Sequence, residues 1–509
     1  MNMAEVISRS CGNYDQKTAI RYEGRSYSFA ELDAMAKRHA SFLQKLGVKK
    51  GDRIAVQMPK CMDFIFLHLA TLSLGAITLP LNPGYTVDEV RYFLTDSGSS
   101  FFFSDAARFE RVQKVVEEIP QLTAILIDEP SPAGFDPLNQ EVAKVGDDDP
   151  RDYPTDEDDV AMICYTSGTT GKPKGAMITH RNLVTNTRAL QRVWQWTDGD
   201  KLLHVLPLFH VHGLNVALHG GLNAGCTIVM HQAFDPHKAW KAIEQERCTM
   251  FMAVPTIYYR LMNEWEAVKP ALDSMRVFIS GSAPLLENLF YRFEQATGYR
   301  ILERYGMTEA QMITSNPFDV EGRIPQSVGF PLPGTELRVV SDEGRDVEPG
   351  GVGEVWIRGD NIFKGYWQMP EKTRESFSDG WFRSGDLGYQ DPQDKMRVYL
   401  VGRAKELIIT GGYNVYPKEV ENVLERHEAV LEAAVVGMPD EDFGERVTAF
   451  VVLRGSIEGF SQEELIAFCK NHLAAYKCPK TVLPISELPR NAMGKIQKQV
   501  LQQKDEAKS

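Results

Sequence analysis

An apolar run at 160–164, VAMIC, passes directly into YTSGTTGKPKG at 165–175. The run is strand-like, and the segment after it is a loop that few folds can accommodate. Gly168, Gly171 and Gly175 allow tight turns and expose backbone N–H groups. Thr166, Ser167, Thr169 and Thr170 add hydroxyls, and Lys172 and Lys174 add positive charge. Such a loop is suited to wrapping a polyphosphate. It is not the Walker pattern, because G-x-x-x-x-G-K-[ST] is absent. A plain surface loop is the other reading, and the density of hydroxyls, glycines and lysines argues against it.

Around this loop, helical and strand patterns alternate. Residues 27–48 repeat apolar positions at helical spacing, 52–58 and 76–81 read as strands, and 61–75 reads as a helix between them. Such alternation predicts a mainly parallel, helix-covered sheet. An acidic stretch at 145–159 reads as an exposed connection. The segments 275–281, 351–359 and 396–402 read as further strands, the last two in a β-rich region. From about 405 the pattern becomes a compact α+β unit: helix 417–427, strands 432–439 and 448–453, helix 462–473. The expected fold is α/β: a large N-terminal domain, 1–402, of helix-covered, mainly parallel sheets plus a β-rich subdomain, and a small C-terminal α+β domain, 403–509. The terminal QQKDEAKS reads as a frayed tail.

The formal net charge of −13 argues against nucleic acid as a partner. Seven cysteines without a C-x-x-C pair fit reduced thiols in a cytoplasmic enzyme. The N-terminus lacks an apolar signal core. The apolar stretch 64–81 is interrupted by His68, Gly75 and Pro80, and reads as buried helix and strand rather than a membrane span. Oligomeric state, monomer or homodimer, is left open.

YTSGTTGKPKG resembles the phosphate loop of the adenylate-forming superfamily of acyl-CoA synthetases, luciferases and peptide-synthetase adenylation domains. LPLFHVHG (206–213), ISGSAPL (279–285), ERYGMTE (303–309), FRSGDLG (382–388), GRAKELIITGGYNVYP (402–417) and PRNAMGKIQK (489–498) follow in the superfamily's order. The resemblance implies two half-reactions. A carboxylate attacks the α-phosphate of ATP, and a thiol, that of CoA, then attacks the acyl carbon and releases AMP. It also implies Mg²⁺ beside the polyphosphate.

By the same resemblance, Thr308 contacts the α-phosphate, and Glu309, with Thr166, holds the metal. Glu303, Tyr305, Gly306 and Met307 belong to the nucleotide site, with Tyr305 stacking on adenine. Ser282, Ala283 and Pro284 form part of the adenine wall. Asp386 accepts from the ribose hydroxyls, and Arg403 is a second nucleotide contact. Lys495 is the lysine of the adenylation step, bringing a compact charge to the reacting phosphate. Lys405 takes the hinge position, and Gly411 and Gly412 approach the pantetheine arm after the small domain rotates.

The acid is read from 206–215, 254–261 and 304. His210 and His212, two residues apart, lack the partners of a metal site; His210 matches the acyl-pocket gate and Asn215 could line the same pocket. Arg304 stands where relatives that use long-chain or aryl acids usually carry glycine. A buried cation needs an anion, and a second substrate carboxylate would supply it in bidentate geometry. Arg260 is another candidate cation. FISGSAPLL, LERYGMTE and TSNP resemble the malonyl-CoA synthetases, which implies malonate or a close dicarboxylate such as methylmalonate. Alternatively, Arg304 pairs with Glu303 or Glu309, and the acid is a short- or medium-chain or aryl monocarboxylate. A stand-alone adenylation enzyme loading a carrier protein is a further alternative. Arg276 reads as structural.

Overall fold

A computed structural model describes residues 1–127, 138–145, 154–166, 172–411, 413–440, 443–455, 460–491 and 495–506. The expected strands form at Arg53–Gln57, Ile77–Pro80, Val160–Thr166 and Val277–Ser280, with helices Phe29–Lys45 and Met62–Ser73 beside the early ones. Helix Phe29–Lys45 starts in a capping box. Ser28 Oγ accepts from the Glu31 N–H at 3.0 Å, and the Glu31 carboxylate accepts from the Ser28 N–H at 2.7 Å. Helix Met62–Ser73 is apolar on almost every side because it is buried in the largest core. No helix among the described residues is long and apolar enough to cross a membrane.

Two large sheets organise the N-terminal part. In the seven-stranded sheet, Val160–Thr166, Ile77–Pro80, Arg53–Gln57, Phe101–Ser104 and Thr123–Leu126 run parallel. Val160–Thr166 then pairs with Lys174–Thr179 as an antiparallel hairpin whose connection is the glycine- and hydroxyl-rich loop. In the fourteen-stranded sheet, Thr227–Met230, Lys201–His204, Met250–Ala253, Val277–Ser280 and Leu302–Met307 form the parallel part. From Leu302–Met307 the same sheet continues antiparallel through Gln311–Ser315 and Ser327–Pro331 to Arg397–Arg403. The β-rich region is therefore continuous with the parallel sheet. Both sheets and the helices Met3–Asn13, Phe29–Lys45, Met62–Ser73 and His180–Val193 share one apolar core.

After Arg403 a five-stranded sheet with helices Pro417–Leu424 and Gln462–His472 builds a separate core around Val420, Val435, Ala449 and Val451. The described part of the expected frayed tail is instead helical, within Lys498–Glu506; residues 507–509 lie outside the described residues. Leu501 is fully buried beside Val436, Met438 and Phe450, and Gln502 Nε2 donates to the Gly437 carbonyl at 3.1 Å. Lys498 Nζ also pairs with Glu421 at 2.6 Å, so an apolar anchor, a bond to the backbone and an ion pair dock a segment whose composition reads as solvated.

Candidate active site

The strand ends and loops of the two large sheets converge with the small unit on one cleft. Of the phosphate loop, Thr166 and Lys174 are described; Ser167, Gly168, Thr169 and Thr170 lie outside the described residues, as do Gly412 and the glycine before Lys495. Thr166 Oγ1 donates to Glu309 Oε1 at 3.3 Å, and the Tyr366 hydroxyl donates to the same oxygen at 3.0 Å. Lys174 Nζ sits 4.2 Å from the centre of the Tyr366 ring. This joins the phosphate hairpin to the turn carrying Thr308 and Glu309. The Thr166 hydroxyl and the Glu309 carboxylate form an all-oxygen donor set, which suits a hard divalent ion that keeps phosphate and water ligands.

A second cluster holds Asp386. Its carboxylate accepts from the Tyr305 hydroxyl and, at 3.0 Å, from Arg403 Nε. Tyr305 is buried in an apolar cluster with Ile313 and Val355, so its hydroxyl orients Asp386 and little of its ring is left open. Burial, with Asp386 close by, holds the phenol well above its ordinary range.

Lys495 reaches this cleft. The residue is solvent-accessible overall, yet its ammonium is desolvated against the large domain. That desolvation and Arg403 lower its pKa, while Asp386 and Glu309 counter the effect. His210 lies near enough that Lys495 contributes to holding it neutral; burial is the larger cause, and its pKa falls to about 3. The hinge candidate Lys405 lies in the short turn Ala404–Glu406 directly after Arg403. Gly411, at φ 55, is exposed beside strand Tyr413–Val415.

The segment expected to border the acyl pocket forms a π-helix, His212–His219, a geometry frequently found at functional sites. Gly213 is required there, because a Cβ would lie 2.0 Å from the Pro207 carbonyl oxygen. Asn215 is buried and donates to Gln311 Oε1 at 2.8 Å. His212 Nδ1 is 3.3 Å from Ser282 Oγ, and Ser282 holds a left-handed φ of 70. Ala283 is half-buried and Pro284 exposed, on the loop that follows.

Arg304 is only 2% exposed. Its guanidinium packs on Gly281, where a Cβ would meet Cζ at 2.5 Å. Nη2 has a long contact to Ser282 Oγ, 3.5 Å, while Nε and Nη1 have no hydrogen-bond partner among the described residues. No carboxylate among the described residues forms an ion pair with it, which corrects the alternative pairing with Glu303 or Glu309. Those two carboxylates are turned to other partners, the Leu285 N–H and the Thr166 and Tyr366 hydroxyls. Burial without such a pair lowers the Arg304 pKa to about 9.

Glu303 also departs from expectation. Its carboxylate accepts from the Leu285 N–H at 2.9 Å, and burial raises its pKa to about 8. Its backbone carbonyl accepts from the Asn316 N–H at 3.1 Å. The residue braces the ISGSAPL loop from behind instead of presenting its side chain to nucleotide. Arg260 is exposed on helix Pro255–Val268 and makes no ion pair among the described residues. Arg276 is structural as expected, donating to both oxygens of the buried Asp200 at 2.5 and 2.6 Å.

The AMP-binding enzyme family matches residues 7–367, and the AMP-binding enzyme C-terminal domain matches 419–495. The chain belongs to the AMP-binding enzyme family. It is an acid–thiol ligase of that family, and the AMP-forming CoA ligases are its relatives. It is 35% identical to a long-chain-fatty-acid–CoA ligase of Bacillus subtilis, covering 97% of this chain and 93% of that one. It is 34% identical to the human mitochondrial malonate–CoA ligase ACSF3, covering 98% and 91%. ATP-bound MatB from Rhodopseudomonas palustris superposes with a TM-score of 0.92 at 40% identity over 99% of both chains; its apo form gives 0.83. Relatives of similar identity thus carry different acids in their names, and the acid must be argued from the pocket.

Gln311 was missed by sequence reasoning. Its left-handed φ of 53 and its bonds to Asn215 and Thr308 leave no signal in the chain beyond its position just after the TEA of the motif.

Proposed function

We propose that this enzyme activates malonate, or a closely related short dicarboxylate such as methylmalonate, and transfers the acyl group to CoA. The observation that carries the reading is Arg304, a buried guanidinium with two unpaired nitrogens and no ion-paired carboxylate among the described residues. A bound dicarboxylate supplies the missing charge at one end and a nucleophile at the other. An apolar acid of any length leaves the cation unpaired.

In the first step a carboxylate oxygen bonds to the α-phosphorus while the bond to pyrophosphate breaks. Thr166, Lys174 and residues 167–170 receive the polyphosphate. Asp386, oriented by Tyr305 and Arg403, receives the ribose, and Ser282 to Pro284 border the adenine. Lys495 and Thr308 stabilise charge on the reacting phosphate. Mg²⁺, when bound, would be held by Thr166 and Glu309 and would neutralise phosphate charge. Neutral His210 closes the acyl side without adding a competing cation. In the second step the CoA sulfur bonds to the acyl carbon and AMP leaves. For this step we assign Lys405 as the hinge between 1–402 and 403–509, with Gly411 and Gly412 facing the thiol arm after rotation.

The test is an acid panel with ATP, Mg²⁺ and CoA: malonate, methylmalonate, acetate, butyrate, octanoate and benzoate. Malonate or methylmalonate should lead in AMP formation. Strong turnover of octanoate with none of malonate would defeat the assignment of the acid.

A further inference from the structure

The hairpin that carries Thr308 and Glu309 contains an unusual residue. Strands Leu302–Met307 and Gln311–Ser315 are joined by Thr308, Glu309 and Ala310, with a register shift between Tyr305 and Gly306. Three-residue hairpin loops typically close through a left-handed residue, and glycine takes that conformation without strain. Here the left-handed residue is Gln311, the first residue of the returning strand, at φ 53 and 1% exposed. A side chain kept at such a position is held by its surroundings and retained at a cost in backbone strain.

That side chain makes two bonds. Gln311 Nε2 donates to the Thr308 carbonyl at 3.2 Å, and Oε1 accepts from Asn215 Nδ2 at 2.8 Å. Asn215 sits in the π-helix that also carries His212. From the opposite side the turn is fixed by Asn361 Nδ2, which donates to the Ala310 carbonyl at 2.7 Å, and by the Phe363 N–H, which donates to the Glu309 carbonyl at 2.8 Å. The packing leaves no slack: a Cβ on Gly306 would lie 2.3 Å from the Gln311 carbonyl oxygen. The bonds at Asn361 and Phe363 anchor the turn to the sheet, and those of Gln311 anchor it to the acyl pocket.

We infer that Gln311 is a positioning residue for adenylation: it ties the π-helix bordering the acyl pocket to the turn bearing Thr308, so acid and α-phosphate are held in one frame. In-line attack is sensitive to small displacements, so this link acts on the rate of the first half-reaction. The inference rests on the ligase reading above and is independent of which acid is used.

The test compares wild type with Gln311→Gly, which relaxes the backbone, and Gln311→Asn, which tolerates the left-handed region but is one methylene too short to span both partners. The probe is pyrophosphate–ATP exchange with the acid that wild type uses best, alongside thioester formation from the supplied acyl-AMP. Exchange at saturating ATP and acid should fall about 10- to 100-fold, while the thioester step stays within about threefold of wild type. Asn215→Ala should fall likewise, and the Asn215→Ala, Gln311→Asn double variant should be no worse than its worse parent. Unchanged exchange, equal loss in both half-reactions, or additive losses in the double variant would overturn the inference while leaving the ligase reading intact. A wild-type protein that exchanges no pyrophosphate with any acid overturns the ligase reading and the inference together. If the glycine variant does not fold, the asparagine variant and the double variant decide.

Discussion

Arg304 combines a stability cost with the binding role proposed for it. A buried cation without a counter-charge destabilises the free protein, and replacing it by an apolar side chain of similar length removes that cost. Arg304→Met should therefore raise the thermal midpoint of the ligand-free enzyme, by the equivalent of about 1 kcal/mol or more. A lower midpoint would mean that the guanidinium is satisfied in the free protein. Glu303 supplies the pH test. Burial raises its folded pKa to about 8, above the ordinary carboxylate value of 4.5. Its contribution is then fully present below the unfolded value and is lost as pH rises toward 8, because the unfolded chain releases the proton first. Glu303→Gln keeps an acceptor for Leu285 and cannot ionise, so its advantage in melting temperature over wild type should grow from pH 5 to pH 8. A constant difference across that range would contradict the assignment. Arg304 was legible in the sequence because it departs from glycine within a recognisable motif. Glu303 was misread because a motif position does not say which way a buried carboxylate faces. Gln311 was invisible because its role rests on a positive φ.

At the level of elements, periodicity revealed strands and helices of both domains, and composition revealed the loop after Val160–Thr166, but not that Lys174–Thr179 returns from it as an antiparallel partner. Periodicity did not reveal that Leu302–Met307 joins a parallel sheet to an antiparallel one, because a strand's sequence does not name its neighbours. It also failed at helix Lys498–Glu506, where seven polar residues surround two apolar ones and the amphipathic stripe is too short to read. Leu501 is the residue that docks this helix. Leu501→Ala should cost the small domain about 2–5 kcal/mol. Hydrogen exchange in strands Val430–Asp440 and Gly444–Leu453 should accelerate accordingly. Unchanged protection would mean that the helix adds nothing to the domain.

At the scale of the molecule, the small domain sits with Lys495 in the cleft. Asn422 Nδ2 donates across the boundary to Gln326 Oε1 at 3.2 Å, and Arg426 lies 3.9 Å from Glu287. Such partly exposed polar contacts are each worth little, which is compatible with the rotation proposed above. Relative domain orientation has no sequence signal, since local patterns specify each core separately. In this orientation Lys495 stands near Asp386 and Glu309, as the role proposed for it in the first half-reaction requires. Lys495→Ala should slow acyl-AMP formation at least about 100-fold and spare thioester formation from supplied acyl-AMP; loss of both would contradict its assignment to one step. Acid selectivity tests the charge pocket most directly. The ratio of kcat/KM for malonate over butyrate should exceed unity by a wide margin in wild type and fall by about 100-fold or more in Arg304→Met. An unchanged ratio, with both acids affected alike, would show that Arg304 does not receive the second carboxylate.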